Sequence, residues 1–379
     1  MKKFWLGALL LCSTTAMAQT RMRVWQNGDS DRMKLKEMSF SNSGQSVTIG
    51  DNTYTTTSID SIVMVQEVGI VYSGSTATVT VPKAIENDII VTQNGAHVNI
   101  FNNNMSNEVE FNVSGTTTNG SLNYRGDYKC TFSFDNLSIT NPDSSAVSLK
   151  CGKRVALKLI GANTLVDGAG GDQKGCLYCK GHLEIEGDEG NTLTITANAK
   201  HGICTKEYLQ LKKSCGDITF ASVAGDAIHV GDSDDTEEER AEEYFQMNGG
   251  NITATIEKNE DCKGIRVAGN VILNAGTVSI NAKSNGSRGI QTDGNMTIGT
   301  TDATENTPQI TISAAGGKCT VEADADDPHK CMGIKVDGNL TVNSGTTKVT
   351  NTGKKSKGIK VGGTYSKVGG TVDAEIESD

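Results

Sequence analysis

One position in this chain recurs with chemically active side chains. Lys174, His201, Asp226, Lys263, Arg288 and Lys357 each stand immediately before a Gly-Ile, Gly-Cys or Ala-Ile step, and His229, Arg266, Lys335 and Lys360 follow the apolar residue of such a step. Ammonium, guanidinium and imidazole groups hold an anionic ligand by charge-assisted hydrogen bonds, whereas a carboxylate holds a hard cation through oxygen. Asp226 is the carboxylate of the set. With His229 and the acidic block containing Asp232, Asp234 and Asp235 it forms the candidate calcium site, and Asp261 is a secondary candidate. The spacing is not that of an EF-hand loop, because the Gly and the terminal Glu are missing. Asp293-Gly294 and Asp337-Gly338 are sufficiently explained as turns.

These side chains must be positioned by a repeat. In the second half of the chain Gly-Ile occurs at Gly202, Gly264, Gly289, Gly333 and Gly358, with a spacing of 25 residues from Gly264 to Gly289 and again from Gly333 to Gly358. A second apolar run follows each step, as in Val271-Ile272-Leu273, and a third follows a Gly turn, as in Val278-Ser279-Ile280. Three short strands per turn predict an all-β fold, a right-handed single-stranded parallel β-helix, in which each coil buries its apolar face on its neighbours. Equivalent residues of successive coils then stack about 4.8 Å apart. Lys263, Arg288 and Lys357 fall in one stripe and His229, Arg266, Lys335 and Lys360 in another, both flanking the same buried Ile. Together they predict a basic ribbon. A solvated strand face that uses Lys to discourage edge pairing is the competing explanation.

The period is broken twice. From Ala227 to Gly264 the gap is 37 residues, which places an insertion at Asp232 to Glu243, and the gap of 44 from Gly289 to Gly333 places others at Thr300–Pro308 and Gly316–Lys330. Before the regular coils, residues 141–379, residues 68–140 carry β runs without the step and are expected to cap the open end. Residues 19–67 alternate with a period of two around Asn27-Gly28-Asp29, which predicts a small antiparallel β-hairpin module.

Lys2 and Lys3, the apolar run from Phe4 to Leu11 and Ala16-Met17-Ala18 match a secretory signal peptide over residues 1–18, so export to the periplasm, cell surface or exterior is expected. A net charge of -10 argues against nucleic-acid binding. No later stretch reaches the ~20 apolar residues of a membrane span. Beyond Cys12 the cysteines are scattered, with one C-x-x-C at Cys176 and Cys179 and no second pair to complete a zinc site. Most are expected to be small buried hydrophobes, with Cys176-Cys179 or adjacent-coil pairs the candidates for a disulfide.

Asn163-Thr164-Leu165-Val166-Asp167-Gly168, Lys174-Gly175-Cys176-Leu177-Tyr178, Lys200-His201-Gly202-Ile203 and Gly225-Asp226-Ala227-Ile228-His229, with Gly115 to Leu122 upstream, occur in an ordered series. From Gly69 onward the chain thereby resembles a family of bacterial secreted carbohydrate-binding β-helix domains. That resemblance implies a pectate-lyase-like shape, calcium binding, and association with cellulose or acidic polysaccharides such as polygalacturonate. The family often has Asp before the step; here Asp226 keeps it, and Lys, His or Arg replaces it elsewhere. The hairpins resemble a leader module of exported Bacteroidetes proteins.

The reading is a secreted, non-catalytic protein that holds a polysaccharide, of acidic uronate type, along one face. Lys174, His201, His229, Lys263, Arg266, Arg288, Lys335, Lys357 and Lys360 are its sugar contacts, and calcium is its candidate cofactor. A lyase or hydrolase of acidic polysaccharide is the alternative, and a structural surface or adhesin protein the second. A lyase would need calcium carboxylates concentrated beside an Arg or Lys base, and no segment shows that concentration.

Overall fold

The computed structural model describes residues 19–379 except 27–28, 35–36, 42, 233–235, 237–240, 304, 321–328 and 379. The expected signal peptide lies outside the described residues. The structure is almost entirely β, with strands that pair in long parallel ladders. From Gly175 onward each strand pairs with its equivalent one repeat later, so that the chain visits three ladders in turn. One ladder begins Leu183–Gly187, Leu209–Leu211, Phe245–Met247 and Val271–Leu273. Another begins Thr192–Ala197, Asp217–Val223, Asn251–Ile256 and Thr277–Ala282. The third runs through Gly175–Cys179, His201–Thr205, Ile228–Val230, Lys263–Val267, Arg288–Thr292, Met332–Val336, Lys357–Val361 and Ile376–Ser378.

Period-two alternation explains these strands. In Thr192–Ala197 the side chains of Leu193, Ile195 and Ala197 are buried while the threonines between them are half-buried. The third ladder stacks Leu177, Ile203, Ile228, Ile265, Ile290, Ile334 and Ile359 in register, all buried. Each such side chain contributes on the order of 2 kcal/mol by leaving water.

Ala227 precedes Ile228, but glycine precedes the other isoleucines, and at Gly264, Gly289 and Gly333 it does so for want of space. None of the five Gly-Ile glycines has a left-handed backbone. A Cβ on Gly289 would lie 2.5 Å from Ile312 Cγ2 and 2.6 Å from the Gly333 carbonyl oxygen; on Gly333 it would lie 2.1 Å from Val349 Cγ1. Any side chain there would collide with the aliphatic column of the neighbouring ladder.

A polar column borders the first ladder. Asn270 Oδ1 accepts the Asn295 N–H at 2.8 Å, Asn295 Oδ1 accepts the Asn339 N–H at 2.8 Å, and Asn339 Oδ1 accepts the Thr364 N–H at 2.7 Å. On the N-terminal side the same column becomes aromatic, with the rings of His182, Tyr208 and Tyr244 stacked at 4.3 and 4.8 Å.

At the N-terminal end Gln19–Gln26 pairs antiparallel with Asp29–Lys34 and with Ser61–Ser73. Met22, Val24, Val47, Ile49 and Tyr54 form a small core of their own. Ser61–Ser73 continues into the parallel sheet by pairing with Val109–Thr117, so the boundary drawn at residue 67/68 falls inside one strand. The Arg23 guanidinium pairs with the buried Glu110 carboxylate across that junction. Ile89–Asn94 and Ala96–Asn102 form an antiparallel hairpin at the end of the third ladder's sheet. Of the inserted segments, Gly316–Lys330 is closed by an antiparallel bridge between Lys318 and Lys330. Among the described residues the cysteines beyond residue 18 are free thiols, all buried but Cys262, which is half-buried.

Candidate functional site

His201, Asp226 and His229 meet where the chain enters successive strands of the third ladder. The Gly225 N–H bonds the Lys200 carbonyl at 2.6 Å. A Cβ on Gly225 would lie 2.8 Å from that oxygen and 3.0 Å from His201 Nδ1, so the absence of a side chain lets the two turns close. The Asp226 N–H then donates to His201 Nδ1 at 3.0 Å, and His229 Nδ1 lies 2.7 Å from Asp226 Oδ2. A carboxylate only accepts, which places the proton on His229 Nδ1. Asp226 Oδ1 accepts the Lys263 N–H at 2.7 Å, and the two imidazoles stack with centroids 4.1 Å apart.

Asp226 is 6% and His201 7% exposed. Burial pushes the His201 imidazole down, against the pull of the Asp226 carboxylate, to about 3, so the ring is neutral. Burial pushes Asp226 up, but the hydrogen bond from His229 and the nearby positive charge outweigh it and hold the carboxyl at about 2.

Over this cluster lies a cavity of about 220 Å³ whose walls include Lys174, Tyr178, Lys200, Asp232 and Arg266. Lys174 and Lys200 are exposed, and neither makes an ion pair among the described residues. They are equivalent positions, because Gly175 pairs with His201 and Leu177 with Ile203. Lys174 was expected in the stripe of His201; it instead precedes that stripe by one residue and lies opposite Lys200. Lys200 is a further cation of this cavity that the Gly-Ile spacing does not mark. Alignment on Leu177 and Ile203, the buried aliphatics, finds it, whereas alignment on Gly175 and Gly202 slips by one.

The expected stripes exist in part. His229, Arg266, Gln291, Lys335 and Lys360 are in register. Lys263, Arg288, Met332 and Lys357 form the other file. The ribbon, however, is largely neutralised by acids from adjoining turns. Arg266 bonds Asp293 at 2.6 Å, Lys263 pairs with Asp261 at 3.1 Å, Lys335 with Asp337 at 2.8 Å, and Lys357 with Glu377. The Arg288 side chain is 3% exposed and donates to Gln291 Oε1 at 2.6 Å. Arg288 is therefore withdrawn as a sugar contact, since a buried guanidinium cannot reach a ligand lying on the surface.

The calcium candidates fit poorly. Asp226 has N–H donors on both oxygens. Asp261 faces Lys263, Arg288 and His329 at 3.1, 3.5 and 3.1 Å. Asp232 is exposed at the cavity, and Asp234 and Asp235 lie outside the described residues. Calcium takes six to eight oxygens, and among the described residues neither Asp226 nor Asp261 has such a set around it.

The family model for carbohydrate-binding domain-containing proteins matches residues 86–379. No curated protein matches the chain. Among solved structures, a polysaccharide lyase-like protein from C. thermocellum, a gadolinium derivative, is similar at 17% identity and a TM-score of 0.47, over 81% of this chain and 99% of that one.

Proposed function

We propose, for a chain that belongs to the family of carbohydrate-binding domain-containing proteins, that it binds an acidic, uronate-type polysaccharide without cleaving it. The polymer lies across the cavity above His201 and His229. The observation that carries this reading is the pair of exposed lysines at equivalent positions of adjacent strands, Lys174 and Lys200, neither of them ion-paired among the described residues, beside Arg266 and Tyr178. Two ammonium groups on rungs about 4.8 Å apart suit carboxylates carried on one flexible glycan. Tyr178 adds an apolar face with a polar tip, suited to a sugar ring.

In this reading lysines take the ligand's carboxylates in place of a calcium ion. Lys335 and Lys360, in register with Arg266 through Gln291, extend the track beyond the cavity with partial charge compensation. The three ladders are taken as the faces of a right-handed single-stranded parallel β-helix, and the protein as exported, where such polymers are met. In the described residues no helix is long and apolar enough to cross a membrane.

Calorimetry with polygalacturonate oligomers, their carboxyl-reduced counterparts and a neutral glucan, each with calcium and with chelator, tests the proposal. Binding of the uronate in chelator, at least tenfold weaker for the reduced oligomer, and no new chain ends are expected. Equal affinity for the neutral glycans, strict calcium dependence, or unsaturated products would overturn it.

A further inference from the structure

We infer that His201, Asp226 and His229 form a site for a nitrogen-preferring divalent metal of the zinc class. The inference does not depend on the carbohydrate reading. Each residue offers one ligand atom, and these atoms lie within 4.8 Å of one another. A tetrahedral ion with bonds of about 2.0–2.2 Å sets its donors roughly 3.3 Å apart. His201 Nδ1 and Asp226 Oδ2 are 3.4 Å apart, close to that edge, while His229 Nδ1 and Asp226 Oδ2, at 2.7 Å, would open by about half an ångström.

Donor chemistry selects the ion. Two imidazoles and one carboxylate suit zinc and its d-block neighbours, whereas calcium asks for oxygens throughout. The Lys263 N–H on Asp226 Oδ1 fixes the carboxylate with its other oxygen toward the rings, the outer-shell support that oriented metal ligands commonly have. In the arrangement described, His201 Nδ1 accepts the Asp226 N–H and His229 Nδ1 carries a proton; coordination replaces the first bond and moves the proton to Nε2. Neither Nε2 has a hydrogen-bond partner among the described residues, so that tautomer is open.

Three protein ligands would leave a fourth position for water or a ligand oxygen, and His201 and His229 both line the cavity from which it would enter. The lysines there oppose a cation, but Lys174 and Lys200 are exposed and screened by solvent, and Arg266 is offset by Asp293 at 2.6 Å. A cluster that merely satisfies its own hydrogen bonds is the alternative.

Metal-stripped protein titrated with Co²⁺ alone, followed by visible absorption, separates the two. One equivalent with tetrahedral d–d bands is expected, displaced by Zn²⁺ and not by Ca²⁺. His229→Ala should weaken Co²⁺ binding at least tenfold, with circular dichroism unchanged, and a change at the exposed Lys348, Lys348→Gln, should leave it as in wild type. Should His229→Ala fail to fold, the titration of the folded wild type decides by itself. No saturable band in the wild type, binding unaffected in a folded His229→Ala, or displacement by Ca²⁺ as effective as by Zn²⁺ would overturn the inference. Because no sugar is present, its failure is distinct from failure of the binding proposal.

Discussion

At Asp226 one carboxylate organises three chain segments, since it accepts from the Lys263 N–H and from His229 while its own N–H holds His201. This makes the site acid-labile in a defined window. His201, held at about 3 in the fold chiefly by burial, has an ordinary value of about 6.5 when unfolded. Between those values the unfolded chain binds the extra proton, so the stabilisation is complete above about 6.5 and is lost as pH falls. Asp226, at about 2 against about 3.9 unfolded, adds a second loss at lower pH with the same sign. Urea midpoints should therefore be level from pH 7 to 8 and fall below 6. His201→Asn, whose side-chain oxygen can replace Nδ1 as acceptor, should flatten the fall between pH 6 and 4 by on the order of 2 kcal/mol. An unchanged slope in the variant would show that other groups govern the acid response.

On the scale of the ladders, stability resides in repeated close contacts. Gly289→Ala places its Cβ 2.5 Å from Ile312 Cγ2, and overpacking of this kind should cost about 1–3 kcal/mol, read as a lower urea midpoint. A wild-type midpoint would mean that the two ladders are less tightly apposed than described. Asn295→Ala removes the acceptor of the Asn339 N–H at an exposed position where water can take its place, and should lower the urea midpoint by the equivalent of about 0.5–1 kcal/mol. Much of this was legible in the sequence. The Gly-Ile steps mark the third ladder because a buried aliphatic must recur at each rung. The reason for the Gly was not legible, since it depends on Ile280, Ile312 and Val349 from a different ladder. Nor was the neutralisation of the basic stripes: Asp261, Asp293 and Asp337 sit in turns, and their pairing with Lys263, Arg266 and Lys335 follows only from how the turns fold back.

Over the molecule as a whole, a net charge of -10 coexists with a cavity whose described lining carries Lys174, Lys200, Lys206 and Arg266 against Asp232. Such a local grouping of cations attracts an anionic polymer despite the overall negative charge. Stacked repeats also imply graded local stability, because among the described residues Ile376–Ser378 pairs with one neighbouring strand whereas His201–Thr205 pairs with two. Amides of Tyr365–Lys367 and Ile376–Ser378, where side chains are partly or fully exposed, should exchange with deuterium well before those of His201–Thr205, which is buried throughout. Uniform exchange would instead indicate one cooperative unit. The central claim concerns Lys174 and Lys200, and the most direct measurement is the calorimetric affinity of a uronate oligomer for wild type and for Lys174→Glu/Lys200→Glu. Both side chains are exposed, so the fold should be untouched. At least a tenfold loss, about 1.4 kcal/mol, with the difference shrinking as salt is added, is the expected result. Undiminished affinity in the double variant would contradict the account.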